Sequence, residues 1–258
     1  MSSLRLEVTP TLSDPAAILA FSGWNDAGDA ASSALRYVQD ATQSVTLGVI
    51  DAEPFFDFTV RRPEVRYGEG KIREIEWPEY RLQYGNAGVS RDLVTGIGPE
   101  PHLRWREYCD QFIDLLHELG VRRVALLGAY LADVLYSLPV QVTGFATDEE
   151  LMRTLGLQAS SYEGPTGIVG VLSTRLRDEG FEVASLWAGL PHYINAAPNP
   201  RGALALIQKL TSFLGLKVDE APLAKAAAEY EERVSALVAS DPALSEYVKE
   251  LKRREFAQ

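Results

Sequence analysis

The chain has 258 residues, 46% of them hydrophobic, with 25 Lys+Arg against 36 Asp+Glu and a formal net charge of −11. A chain of this size hides enough apolar surface for a self-sufficient core, and it is too apolar for global disorder. The acid excess excludes a nucleic-acid binder that tracks phosphates and a protein that docks on anionic membranes, since both need clustered Lys and Arg.

Leu4-Arg5-Leu6-Glu7-Val8 alternates apolar and charged residues, which predicts a half-exposed edge strand. Arg5 and Glu7 also stand where the apolar core of a secretion signal would lie. The continuous apolar run Ala16 to Phe21 predicts a buried strand that ends in the turn Ser22-Gly23-Trp24-Asn25. Asp26 or a neighbour then caps a helix from about Ala27 to Gln39, with Ala30, Ala31, Ala34, Leu35 and Val38 inward. Val45 to Ile50 supplies another strand.

Residues 51–100 differ in character: Arg61, Arg62, Arg66, Lys71, Arg73 and several carboxylates alternate with short β-prone runs. The runs around Val65-Arg66-Tyr67, Ile72 to Ile75 and Tyr80 to Tyr84 predict exposed antiparallel strands, forming an excursion from the main sheet or an oligomer contact. Tyr108, Phe112, Leu115, Leu116 and Leu119 recur at helical spacing, with Gly120 as the stop. Cys109, the only cysteine, falls in this helix and reads as a structural thiol; one cysteine permits neither an internal disulfide nor a cysteine metal cluster.

Val124 to Gly128 predicts a strongly buried strand, and the apolar stretch to Ala132 around it is far shorter than a membrane span. The sequence therefore predicts a cytoplasmic protein. A short helix follows over Asp148 to Leu155 with its capping signal at Thr147, then a helix over Gly167 to Arg177 and a strand from Phe181 to Trp187. A helix from Arg201 to Leu214 carries Leu204, Ile207, Leu210 and Leu214 inward and stops at Gly215. Strands alternating with helices of this length predict an α/β fold, a mainly parallel sheet with helices on both faces. From Lys217 the pattern changes. Leu223, Ala227, Tyr230, Val234 and Leu237 form one stripe, and Leu244, Tyr247, Val248 and Leu251 form another after Asp241-Pro242. The expected organisation is a core over residues 1–216, including the excursion at about 51–100, and a helical hairpin over 217–258. The hairpin either covers the core or packs on a neighbouring subunit.

Ligands of open α/β sheets bind where strand C-termini meet helix N-termini, because unpaired N–H groups gather there. One such segment carries Trp24, Asn25, Asp26 and Asp29. Two carboxylates three apart suit an acid/base pair or a cation site; alternatively Asp26 caps, Asp29 complements the helix dipole and Trp24 fills core. A second is Gly128-Ala129-Tyr130-Leu131-Ala132-Asp133. A third, Gly164-Pro165-Thr166-Gly167-Ile168-Val169-Gly170, forms either an anion nest with the Thr166 hydroxyl and the Gly167 backbone or a tight turn that lets the helix pack closely. It matches neither a Walker loop nor the dinucleotide spacing. Of three histidines, His117 reads as a surface position, His102 lies in a loop, and His192 stands at a strand end and is the functional candidate. No zinc-hydrolase or serine-hydrolase motif occurs. No residue is assigned a catalytic role, and no metal or cofactor is implied.

Three segments together resemble the proteasome assembly chaperone family, in particular its actinobacterial branch. They are Phe21-Ser22-Gly23-Trp24-Asn25-Asp26-Ala27-Gly28-Asp29, Thr143-Gly144-Phe145-Ala146-Thr147-Asp148 and Tyr162-Glu163-Gly164-Pro165-Thr166-Gly167-Ile168. Ala196-Ala197-Pro198-Asn199-Pro200 before a helix adds to the resemblance, which runs from about residue 16 to about 215. It implies a three-layer α/β/α domain around a mixed sheet, like that of purine nucleoside phosphorylases and related hydrolases. It also implies homo-oligomers, trimers in the bacterial branch, and, for the archaeal and eukaryotic members, binding of proteasome α-subunits during assembly. The end Glu255-Phe256-Ala257-Gln258 departs from the hydrophobic-Tyr-any tail with which family members dock into α-rings. The leading expectation is an interaction protein of the chaperone type. The alternative is a nucleosidase-like hydrolase or small-ligand binder, with Asn25, Asp26, Asp29, Thr166 and His192 around its ligand.

Overall fold

The structure, a computed structural model, describes residues 3–68, 72–86, 91–159 and 162–255. Lys71 and the tripeptide Phe256-Ala257-Gln258, named above, lie outside the described residues. The strands are β1 (Leu4–Leu6), β2 (Ala16–Ser22), β3 (Val45–Ile50), β4 (Glu64–Tyr67), β5 (Arg73–Glu76), β6 (Tyr80–Asn86), β7 (Asp92–Pro99), β8 (Arg123–Ala132), β9 (Val142–Ala146), β10 (Gln158–Ala159) and β11 (Glu182–Pro191). The helices are α1 (Ala30–Ala41), α2 (Trp105–Glu118), α3 (Glu149–Thr154), α4 (Ile168–Asp178), α5 (Pro200–Leu214), α6 (Ala221–Ser240) and α7 (Pro242–Glu255).

Nine strands form one sheet in the order β1-β3-β6-β7-β2-β8-β11-β9-β10. The four central strands, β7, β2, β8 and β11, run parallel, while β1, β3 and β6 on one flank and β9 on the other pair antiparallel. The period of two along β2 divides its side chains between two cores. Ala16, Ile18 and Ala20 pack with α1 and α5, whereas Ala17, Leu19 and Phe21 pack with α2 and α4. Helices thus cover both faces, and the arrangement is α/β/α with a mixed sheet.

Three main-sheet strands were not apparent in the sequence: β7, β9 and the two-residue β10. The run Tyr80 to Tyr84 also departs from expectation: as part of β6 it joins the main sheet, with Tyr80 and Leu82 fully buried, and only β4 and β5 form a separate two-stranded ribbon. The α3 cap is Asp148, whose Oδ1 accepts from the Leu151 N–H at 2.8 Å. Thr147, the expected cap, turns its hydroxyl to the sheet and accepts from the Val183 N–H at 2.6 Å. In α6 the buried stripe ends on Val238, while Leu237 is 48% exposed.

A third, smaller core joins α6 and α7 to the connection between β8 and β9 and to the segment after β11. It contains Leu135, Ile194, Tyr230, Val234, Val238, Val248 and Leu251. Asp241 starts α7 by accepting from the Ala243 and Leu244 N–H groups, as the Asp-Pro pair predicts. Cys109 is buried, and burial pushes its thiol up to about 12, which suits an unreactive structural residue.

Candidate functional site

The parallel strands β2 and β8 end at the same edge of the sheet, and the chain after β2 bends sharply there. Gly23 has φ +107°, its carbonyl accepts from the Asp26 N–H at 3.1 Å, and Trp24 at the tip is 65% exposed rather than in the core. The Asn25 carbonyl accepts from the Ala129 N–H at 2.8 Å, so β8 anchors the bend and holds the Asn25 side chain wholly inside. A single turn of 3-10 helix over Ala27–Asp29 then leads into α1.

Asp26 caps α1 from inside this bend: its Oδ1 accepts from the Ala31 N–H at 2.8 Å and the Ser32 N–H at 3.2 Å. Burial pushes the carboxyl above the usual carboxylate range; hydrogen bonds from Ser32 and Ala31 oppose this, and the charge of Asp29 adds to it. Asp29 itself is exposed, occupies the left-handed region at φ +51° and makes no capping bond.

The second bend meets the first. Gly167 packs so tightly that a Cβ there would stand 2.3 Å from Asn25 Oδ1 and 2.8 Å from Glu100 Oε1. Glu100, which follows β7, accepts from the Ile168 N–H at 2.7 Å. A carboxylate thereby serves the N-terminus of α4, whose cap residue, Gly167, has no side chain. Thr166 is exposed with its hydroxyl over Gly170, where a Cβ would come within 2.1 Å of Oγ1. Buried Asn25, Asp26 and Gly167 and half-buried Glu100 therefore form one seam between α1 and α4. Both polar atoms of the Asn25 side chain and Asp26 Oδ2 have no hydrogen-bond partner among the described residues.

The PAC2 family model matches residues 20–238. The chain belongs to the PAC2 family. It is 40% identical to a PAC2 family protein of Streptomyces avermitilis, over 91% of this chain and 100% of that one, with a TM-score of 0.84. It is 38% identical to a proteasome-assembly chaperone homologue of Mycobacterium tuberculosis, over 90% of this chain and 99% of that one, again with a TM-score of 0.84. An archaeal proteasome activator from Pyrococcus furiosus shares the fold at 18% identity and a TM-score of 0.71, covering 91% of this chain and 97% of that one. No curated protein matches the chain. The expected family and its actinobacterial branch are thus shown.

In this PAC2 chain His192 lies at the same sheet edge as the seam but in a different cluster. It stands one residue past β11, 2.7 Å from Asp133 Oδ1 and 2.9 Å from the Tyr247 hydroxyl of α7. Tyr247 donates to Asp133 Oδ1 at 3.0 Å, so the three residues tie α7 to the sheet edge. His102 accepts from the Asp57 N–H through Nδ1, and His117 is exposed with its ring 4.5 Å from that of Phe181. Among the described residues no group of three or more His, Cys, Asp or Glu is placed to hold a metal, and no helix is long and apolar enough to cross a membrane.

Around the seam the PAC2 chain exposes large apolar side chains: Trp24, Tyr162 at 65%, Leu131 at 58% and Tyr130. The Tyr162 hydroxyl donates to the Pro165 carbonyl at 2.9 Å, which folds the ring back beside the second bend. No local sequence signal marks Glu100, because its partner Ile168 lies 68 residues away.

Proposed function

We propose that this PAC2 protein is a cytoplasmic, homo-oligomeric interaction module that binds proteasome α-subunits through the rim around the two bends. The observation that carries the reading is the group of exposed apolar side chains at that rim, Trp24, Tyr130, Leu131 and Tyr162. Exposed apolar patches mark contact surfaces, and Trp and Tyr dominate binding energy where they occur. The buried seam beneath supports this: Asn25 and Gly167 fix the backbone that presents Trp24 and Thr166, and a rigid base lowers the entropy cost of binding. In this reading Trp24, Thr166 and Tyr162 touch the partner, while Asn25, Asp26 and Gly167 position them, and Asp29 adds charge at the margin. The layered sheet is consistent with the phosphorylase-like fold that the family resemblance implies.

The β4–β5 ribbon is the self-association surface in this proposal, with a trimer as the expected state. Val65 pairs with Ile75 and Tyr67 with Arg73, and the three apolar residues are 45%, 54% and 71% exposed. A two-stranded ribbon alone is marginal in water and gains by packing its apolar face on another copy. Residues 60–81 carry six basic and five acidic side chains on a chain whose net charge is −11, so the ribbon meets an acidic partner surface without repulsion.

Capture of matched proteasome α-subunits by the purified protein tests the rim. Retention is expected for the wild type, with at least a tenfold loss of affinity in a Trp24→Ala/Tyr162→Ala double variant. Clean failure of the wild type to capture any matched subunit would contradict the reading. Light scattering tests the ribbon: Val65→Ser with Ile75→Ser is expected to give monomers that keep the wild-type far-UV circular dichroism, and an unchanged mass would contradict the assignment.

A further inference from the structure

A cavity of about 420 Å³ lies between the C-terminal helices and the sheet edge, lined by the β8–β9 connection, the end of β11, the start of α5 and the inner face of α6. That size falls in the range of small-molecule sites. Its wall is apolar and polar in equal measure, the apolar part including Leu135, Leu138, Leu190, Ile194 and Val234. One cation opens into it, Arg201 in the first turn of α5, with a side chain only 14% exposed.

An arginine in the first turn of a helix runs against the helix dipole, and burying a guanidinium costs free energy unless it is paired. Here Nη2 donates to the Leu138 carbonyl at 2.7 Å, and Nε lies 3.5 Å from the half-exposed Glu231 carboxylate. These contacts hold the guanidinium at the cavity wall. The other polar groups nearby are already engaged. Asn199 caps α5 through Oδ1 and donates from Nδ2 to the Tyr230 hydroxyl, which donates in turn to the Ala196 carbonyl.

We propose that this cavity binds a small apolar carboxylate, with the Arg201 guanidinium taking the carboxylate and the aliphatic part of the wall taking the hydrocarbon. A guanidinium recognises carboxylates through its planar fork, and one cation beside an aliphatic wall matches a monoanion with an apolar body that takes the place of the long Glu231 contact. Free acyl acids and apolar amino acids share this chemistry. Glu255, on α7 at the cavity wall, is placed to distinguish them by accepting an ammonium. The proposal is independent of the rim and of any proteasome partner.

Calorimetry on the full chain tests it with three probes: 4-methylpentanoate, leucine and 4-methylpentan-1-ol. At least one of the two carboxylates is expected to bind at least tenfold more tightly than the alcohol. Preference for leucine assigns the site to amino acids, and preference for 4-methylpentanoate assigns it to acyl acids; both support the proposal. Arg201→Lys keeps the charge without the fork and is expected to weaken binding about tenfold, while Arg201→Met abolishes it. Should R201M fail to fold, Leu138→Trp fills the chamber from the loop and must abolish binding by itself. Equal binding of alcohol and acids, no binding of either carboxylate, or unchanged binding in folded R201M or L138W would overturn the proposal.

Discussion

Tyr80 and Tyr108 are both fully buried in one aromatic cluster with Phe21 and Phe112, yet their hydroxyls fare differently. Tyr80 donates to the Gly96 carbonyl at 2.7 Å, whereas the Tyr108 hydroxyl has no partner among the described residues. A buried hydrogen bond contributes about 1 kcal/mol and an unpaired buried hydroxyl costs about as much. Denaturant unfolding is therefore expected to show Tyr108→Phe stabilised by about 1 kcal/mol and Tyr80→Phe destabilised by about 1 kcal/mol. Asp26 gives a prediction with a pH sign. Its folded-state pKa lies above the ordinary 3.8, so its contribution favours folding at low pH and is lost as pH rises through the folded value. Asp26→Asn keeps an oxygen for the Ala31 and Ser32 N–H groups without the charge. At pH 7 it is expected to exceed the wild type in stability, with the difference closing as pH falls toward 4, while Asp26→Ala loses the cap and about 1 kcal/mol. The capping role was legible in the sequence because it is local. Glu100, which serves the N-terminus of α4, was not, because no spacing rule joins residues brought together only by the sheet.

Helix α6 shows how far periodicity reaches. With 100° per residue, Leu237 and Val238 each lie about 50° from the axis of the stripe set by Leu223, Ala227, Tyr230 and Val234, so spacing alone cannot choose between them. The neighbour chooses: Val238 faces the third core and Leu237 faces water. Val238→Ala is expected to destabilise the docked hairpin by about 1 kcal/mol, read as faster amide exchange along α6 and α7, while Leu237→Ala stays within about 0.5 kcal/mol of the wild type. Strand β7 was missed for a related reason. Gly96 and Gly98 suggest a turn in sequence, but in the sheet they make room for Tyr80, where an added Cβ would come within 2.5 Å and 2.6 Å of Tyr80 atoms. A glycine admitted for close packing and one required by a turn look alike until the neighbour is known.

At the scale of the whole molecule, the alternation of strands and helices was enough to predict helices on both sheet faces, and the motif strings were enough to predict the family. The antiparallel flanks were less legible, since β9 is short and β6 is interrupted by Arg81 and Gly85. The two bends proved to meet because Asn25 and Gly167 interlock, while His192 serves a separate tie to α7. The central claim is that the interlocked bends present a contact rim. Its most direct measurement is the hydrogen-exchange footprint of this protein mixed with its matched proteasome α-subunits. The account predicts new protection at residues 23–26, 129–132 and 162–167, with the hairpin unaffected. Complex formation that protects the hairpin or the β4–β5 ribbon and leaves all three rim segments unchanged would contradict it.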